Sequence, residues 1–291
     1  MAKSDLSGPE NSQIVWAVGI TSVVLVVIIS FFVIKAVNSP SNSSSSTGSS
    51  PAPAELVTKV TTVPSSVFIT VAAGANEALP KPISNAPALT ANGKPSIYYV
   101  GAEYCPYCAT ERWPMVVALS RFGTFSNLGV THSSSTDVYP NTQTFSFHDS
   151  SYTSNYINFI PVEIKSNVPD GSDYATLDSL TSDESALLNT YDAAPYVAAS
   201  SAGGIPFIDF GGKFLINGST YDPSLLQGKS ADDIASALTD PSNSITQGLI
   251  GAANTVTATI CSLTNDTPSN VCSEPAIQAL KTQIASQAST N

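Results

Sequence analysis

The sequence predicts an α/β fold, a central mixed sheet with flanking helices, on three observations. Ile97-Tyr98-Tyr99-Val100 is a near-continuous apolar run, as a central strand covered on both faces must be, and helical spacing follows it from Thr110 to Phe122. Phe207-Ile208-Asp209-Phe210 and Phe214-Leu215-Ile216 are short apolar runs joined through Gly211-Gly212, a type I′ hairpin signal. Ser230-Ala231-Asp232-Asp233 then places an N-cap and an acidic first turn at the head of a helix through Leu238.

At the N-terminus a tail, residues 1–13, precedes an apolar run at 14–34 that only Gly19, Thr21, Ser22 and Ser30 interrupt and Lys35 closes. About 20 such residues cross a bilayer as a helix, whereas a signal-peptide core has about 7–15 and ends at a small-x-small cleavage site. Ala36-Val37-Asn38 is a poor site of that kind, so a single retained transmembrane anchor is expected over 14–37. Residues 38–54, NSPSNSSSSTGSSPAPA, have no charge and no apolar period and read as a stalk, of a composition that suits O-glycosylation. The remaining 237 residues, 55–291, are enough for one large domain or a domain with an insertion.

Within that domain Val67-Phe68-Ile69-Thr70-Val71 reads as a first strand, and the four prolines between Pro80 and Pro95 mark an irregular connection. In the helix that follows, Trp113, Val116 and Val117 share one stripe and Met115, Leu119 and Phe122 a neighbouring one. Pro114 should kink it and Gly123 should close it as the C′ residue. Residues 124–160, rich in Ser, Thr, Tyr and Phe, read as an insertion of strands and long loops, with His132 and His148 as surface or hydrogen-bonded loop residues. Tyr156 to Ile164 reads as a second central strand interrupted by Pro161. Leu177 to Tyr191 reads as a helix with Asp183 and Glu184 in its early turns, where carboxylates are favourable.

A helical extension, 244–291, ends the chain. Thr246 to Leu263 is long and apolar, and Ser273-Glu274-Pro275 opens another helix with Ile277, Leu280 and Ile284 on one face. Cys261 and Cys272 flank the loop between them. A bridge there closes about 12 residues and stabilises by about 3 kcal/mol.

The chemistry concentrates in Ala102-Glu103-Tyr104-Cys105-Pro106-Tyr107-Cys108. A cysteine on a strand-to-helix turn has its sulfur near unpaired N–H groups and the positive end of the helix dipole, which favours thiolate. A second cysteine one turn on can attack the mixed disulfide that the first forms. Half a zinc site has the same spacing, but structural zinc takes four ligands, and Cys261, Cys272, His132 and His148 are not arranged as a second pair. No metal and no other cofactor is expected.

Ala-Glu-x-Cys-x-x-Cys after a strand resembles the thioredoxin superfamily, and Cys-Pro-Tyr-Cys is a spelling common in glutaredoxins; the specific resemblance covers residues 93–122 and 200–238. It implies a thioredoxin-like sheet in which Pro206, after Gly203-Gly204-Ile205, is cis and packs against the cysteines. Ile205 then presents backbone to a substrate peptide, beside Pro106 and Tyr107. The residues alone also allow Pro206 simply to start an edge strand. Cys108 and Pro206 lie 98 positions apart, so the insertion falls between the Cys-x-x-Cys helix and the proline hairpin. The carboxylate that thioredoxins carry six positions before the first cysteine is replaced by Tyr99, and Glu103 reads as a solvated surface residue. The chain also resembles an uncharacterised family of membrane-anchored, thioredoxin-like proteins of acid-loving archaea.

Lys3 and Lys35 flank the apolar run and do not orient it. The glycosylation triplets at Asn42, Asn217 and Asn265, the expected Cys261–Cys272 disulfide and the stalk all favour a domain outside the cell. Only 11% of residues are charged, against about 25% in typical soluble domains, and the net charge is −11. A surface of Ser, Thr, Asn and Gly stays hydrated when carboxylates are protonated, and the lack of a basic patch argues against nucleic acid. The expectation is a membrane-anchored extracytoplasmic thiol–disulfide oxidoreductase acting on protein thiols or disulfides, with Cys105 attacking, Cys108 resolving and Pro206 shaping the groove. The alternative is a non-catalytic thioredoxin-like module of a membrane or cell-surface assembly, with Cys105 and Cys108 as a permanent bridge. Metal delivery to a membrane partner would need more ligands.

Overall fold

The computed structural model describes residues 48–288; the apolar run at 14–34, Asn42 and most of the 38–54 stretch lie outside it. The chain forms β1 (Ser50–Pro51), α1 (Ala54–Thr61), α2 (Ser65–Val71), β2 (Lys81–Pro82), β3 (Thr90–Ala91), β4 (Lys94–Gly101) and α3 (Pro106–Leu119). Strands β5 (Gly123–Ser126), β6 (Gly129–His132), β7 (Gln143–Ser146), β8 (Ser151–Ser154), β9 (Asn158–Glu163), β10 (Lys165–Asp170) and β11 (Asp173–Thr176) follow. Then come α4 (Ser182–Tyr191), β12 (Phe207–Phe210), β13 (Phe214–Asn217), α5 (Ala231–Ala237), α6 (Ser244–Leu263), α7 (Ser269–Cys272) and α8 (Pro275–Ala288). Among the described residues no helix is long and apolar enough to cross a membrane.

Strand β4 is the centre of an α/β architecture. It pairs antiparallel with β12, Ile97 opposite Phe210 and Val100 opposite Phe207, and parallel with β9, Ser96 opposite Asn158 and Gly101 opposite Glu163. β13 and β2 extend the sheet beyond β12, and β3 pairs with the start of β4. Alternation sorts the side chains. Ile97, Tyr99, Phe159, Ile208, Phe210 and Ile216 enter the main core with α3 and α6, while Phe207 and Leu215 join Ile83 and Val197 in a second cluster. Both faces are covered, which is why β4 reads as a continuous apolar run.

Helix α3 is buried along almost its whole length. Pro114 removes the N–H that would reach the Thr110 carbonyl, and the Tyr221 hydroxyl donates to that oxygen instead at 3.1 Å. Helix α6 is enclosed nearly all round; its Thr255, Thr257 and Thr259 hydroxyls donate back to carbonyls four residues earlier at 2.7–3.0 Å. Cys261 at its end is bonded to Cys272, with Cα atoms 5.6 Å apart.

Several expectations are corrected. Val67–Val71 belongs to α2, not a strand: Val67, Phe68 and Val71 lie on one buried helical face against α6. The Asn254 amide of α6 donates to the Phe68 and Ala72 carbonyls at 2.9 and 2.8 Å, satisfying the helix end that a β-branched run would otherwise leave open. Helix α3 begins at Pro106 rather than Thr110 and ends at Leu119. Gly123 therefore does not close it but starts β5, where a Cβ would stand 2.4 Å from the Thr153 carbonyl oxygen. Residues 177–181 are not helical; Thr181 and Glu184 form a capping box that starts α4 at Ser182. The end of the expected stalk is folded, because Ser50 and Pro51 pair with Val130 and Gly129 of β6 and the Ala52 N–H donates to Leu128 at 2.8 Å.

Candidate active site

Strand β4 ends at Gly101, and four residues later Cys105 caps α3 in an extended conformation, φ −76° and ψ 123°. Pro106 at the first helical position has no N–H to leave unpaired. The Cys105 sulfur instead accepts the Cys108 N–H at 3.3 Å. Cys105 keeps 5% of its surface exposed and Cys108 none, and both are free thiols. The Cys105 thiol is 3.5 Å from the Ile205 carbonyl, and the Ile205–Pro206 bond is cis. Ile205 packs with Ala102, Cys105 and Cys108.

The environments of the two sulfurs push them apart. Hydrogen bonding to the Cys108 side chain, its backbone N–H and the Arg112 charge lower the Cys105 pKa, against the opposing effect of burial. Burial, then the hydrogen bond and charge of Cys105, raise Cys108 well above an ordinary thiol. Both thiols are buried, but only Cys105 keeps any contact with solvent and has a lowered pKa, while Cys108 is wholly enclosed and its pKa is raised.

Aromatic side chains flank the Cys-x-x-Cys turn. Tyr104 stacks on Tyr174 with ring centres 4.4 Å apart, and Tyr107, 40% exposed, meets Tyr139 edge-on at 6.1 Å. The Ser134 N–H donates to the Tyr104 carbonyl at 2.7 Å and the Tyr174 hydroxyl to Ser134 Oγ at 2.6 Å. The β6–β7 loop and the β10–β11 hairpin therefore pack against that turn. On the other side the Asn217 amide donates to Asp192 Oδ1, Gly204 O and Ser201 O at 2.7, 3.2 and 3.4 Å, clamping the turn that presents Ile205. A glycan on that nitrogen would leave it one N–H for these three acceptors. Asn265 is exposed.

Beneath the cysteines lie charges that the sequence reading missed. Arg112 donates from Nε to Glu163 Oε1 at 2.7 Å and from Nη2 to Oε2 at 2.6 Å, and both side chains are fully buried. Glu103, expected at the surface, is also fully buried and accepts the Ser146 hydroxyl at 2.6 Å. Tyr99 is buried with its hydroxyl against Gly101, where a Cβ would stand 2.3 Å from that oxygen. The available signal was spacing: Arg112 is four residues after Cys108 on a helix whose only other charge is Glu111, and Glu163 shares the alternation of Phe159 on β9.

His148 is hydrogen-bonded as expected, its Nδ1 2.8 Å from Asp178 Oδ1, and that contact raises its pKa. His132 lies half-buried in β6 with Nδ1 2.8 Å from the Ser133 carbonyl. Among the described residues no three His, Cys, Asp or Glu side chains are grouped to hold a metal ion.

Comparison with curated proteins and with solved structures yields no match. One family model does match, over residues 82–262, a span holding both site cysteines, Arg112, Glu163 and the Ile205–Pro206 turn. That span is more than half of the sequence, and the chain belongs to the family described as a domain of unknown function, DUF929.

Proposed function

We propose that the protein is a thioredoxin-like thiol–disulfide oxidoreductase acting on protein disulfides, anchored through residues 14–34 with residues 55–291 outside the cell. The observation that supports the reading is the unequal pair: Cys105 caps a helix, 5% exposed and with a lowered pKa, while Cys108 is fully enclosed one turn on. The thioredoxin-like reading of the sheet is supported by a Cys-x-x-Cys at the end of β4, a parallel neighbour in β9 and an antiparallel hairpin led by Pro206.

The reaction follows from the placement. The Cys105 thiolate attacks one sulfur of a substrate disulfide, forming a mixed disulfide and releasing the other sulfur as thiolate. Cys108 loses its proton and attacks Cys105, the Cys105–substrate bond breaks, and the second substrate sulfur leaves with the electron pair. The substrate disulfide gains two electrons and the Cys105–Cys108 disulfide forms. Run backward, the same steps oxidise a substrate dithiol, and the potential of the pair relative to its partners sets the direction.

The test is trapping. Cys108→Ala should accumulate mixed disulfides through Cys105, seen as higher-mass bands that reductant removes, and Cys105→Ala should not. If neither variant traps a partner and Cys105 alkylates no faster than an ordinary thiol, the pair is a permanent bridge in a non-catalytic module. The 5% exposure of Cys105 is the feature that would favour that second reading.

A further inference from the structure

Resolution of the mixed disulfide poses a problem that the site must solve. Cys108 is fully enclosed, and burial holds its proton on. Tyr99 stands where a proton-accepting carboxylate is expected, and its own pKa is raised by burial. The titratable groups that reach Cys108 come from four places: Arg112 on its own helix and Cys105 at that helix's N-cap, Glu163 on β9, Tyr99 on β4, and Tyr104 on the connection between β4 and α3. Once Cys105 is bonded to substrate it carries no charge. Arg112 is then the one cation of the set.

Its setting is unusual for a structural arginine. Cys105, Cys108 and Arg112 fall at i, i+3 and i+7, on one face of the start of α3. Glu163 takes Nε and Nη2, but Arg112 Nη1 has no hydrogen-bond partner and no solvent. The Tyr99 hydroxyl, beside the Gly101 that pairs with Glu163, is also unpartnered. Leaving a buried donor unsatisfied costs about 1–3 kcal/mol, and more for a charged group. Apolar residues of similar volume can replace a buried ion pair without loss of stability, so packing alone does not call for this one.

We propose that Arg112, held in place by Glu163, stabilises the Cys108 thiolate as it forms, and that this cation replaces a buried proton acceptor at Tyr99. The proposal rests on the exchange reading above. Cys108 gives its proton to solvent water, the thiolate attacks Cys105 Sγ, the Cys105–substrate bond breaks with its electron pair going to the substrate sulfur, and that sulfur takes up a proton from water. Cys108 is oxidised and the substrate sulfur reduced, with the mixed disulfide as the oxidant. Arg112 keeps its charge throughout. Glu163 is a positioning residue whose own charge opposes the thiolate. The two partners should therefore act in opposite directions on resolution, which a purely structural ion pair does not predict.

The experiment mixes the reduced full-length protein, in detergent, with an aromatic disulfide whose thiolate absorbs visible light. The first burst of colour reports attack by Cys105 and the second reports resolution by Cys108. Arg112→Met should slow the second burst at least about tenfold near neutral pH, the equivalent of one pKa unit, and move its pH midpoint upward. The first burst should change by less than about threefold, because the Cys108 side chain and N–H affect Cys105 more than Arg112 does. Arg112→Lys should restore most of the second rate, and Glu163→Gln should leave it equal or faster. If Arg112→Met does not fold, the double variant Arg112→Met/Glu163→Gln, which buries no net charge at the pair, is measured instead. A second burst with wild-type rate and midpoint in folded Arg112→Met, or a double variant no slower than Glu163→Gln alone, overturns the role of Arg112 and leaves exchange intact. Absence of both bursts in the wild-type protein overturns the exchange reading and this proposal with it.

Discussion

Glu111 faces away from the cysteines and is fully enclosed, accepting the Thr220 N–H at 2.9 Å and hydroxyl at 2.8 Å. Burial pushes its pKa up to about 8, against those two hydrogen bonds. Asp192 and Asp209 are pushed the same way by burial, each to about 6. An unfolded Glu ionises near 4.5, so between there and about 8 the folded state holds a proton that the unfolded state has released. Rising pH therefore favours unfolding across that window. On the acid side Asp233 works in reverse: its hydrogen bonds to Ser230 lower its pKa, and its contribution is lost as pH falls below the usual range. The denaturation midpoint should fall from weakly acid to weakly alkaline pH, and Glu111→Gln should flatten the upper part of that slope. A midpoint insensitive to pH in the wild-type protein would count against a buried, protonated Glu111. At this scale the placement of Cys105 and Cys108 at the head of a helix was legible because it follows from a local turn. Glu103, Arg112 and Glu163 were not, because burial of a charge depends on a partner such as one 51 residues away.

At the scale of elements, α6 decides what its neighbours become. Asn254 holds the end of α2 through two carbonyls, so Asn254→Ala should lower stability by about 2–3 kcal/mol, read from denaturant unfolding. Gly251 lies against the turn after α2, where a Cβ would stand 2.3 Å from the Ala73 carbonyl oxygen. Alanine gains about 1 kcal/mol of helix propensity there but meets backbone, so Gly251→Ala should be net destabilising, by about 1–3 kcal/mol. An increase in stability would show that this turn yields. The strand expectation for Val67–Val71 failed at this scale: β-branched residues favour strands locally, but the helix finds a partner in α6 and the strand finds none. Signals carried within a few residues held up, among them the Ser230 capping box, the Gly211-Gly212 turn with both φ values positive, and Pro275 at the head of α8. The Cys261–Cys272 bridge is of this kind too. Peptide mapping without reductant should recover the two joined, and Cys261→Ser/Cys272→Ser should cost about 3 kcal/mol.

For the whole molecule, the proposed placement of residues 55–291 outside the cell is open to a direct test. Protease added to intact cells should remove residues 55–291, and complete protection followed by digestion after lysis would place them in the cytoplasm. The sheet at the heart of the molecule has a further consequence, in the order of synthesis. The Ile205 carbonyl that covers Cys105 is made 100 residues after it. At about 5–20 residues per second the two early sulfurs wait some 5–20 s without their cover. Cys261 and Cys272 emerge later still, 11 residues apart and joined across a short loop. Early closure of the first pair on itself would keep the late pair from being captured. The unfinished chain thus has two sulfur pairs separated by time before the finished fold separates them in space.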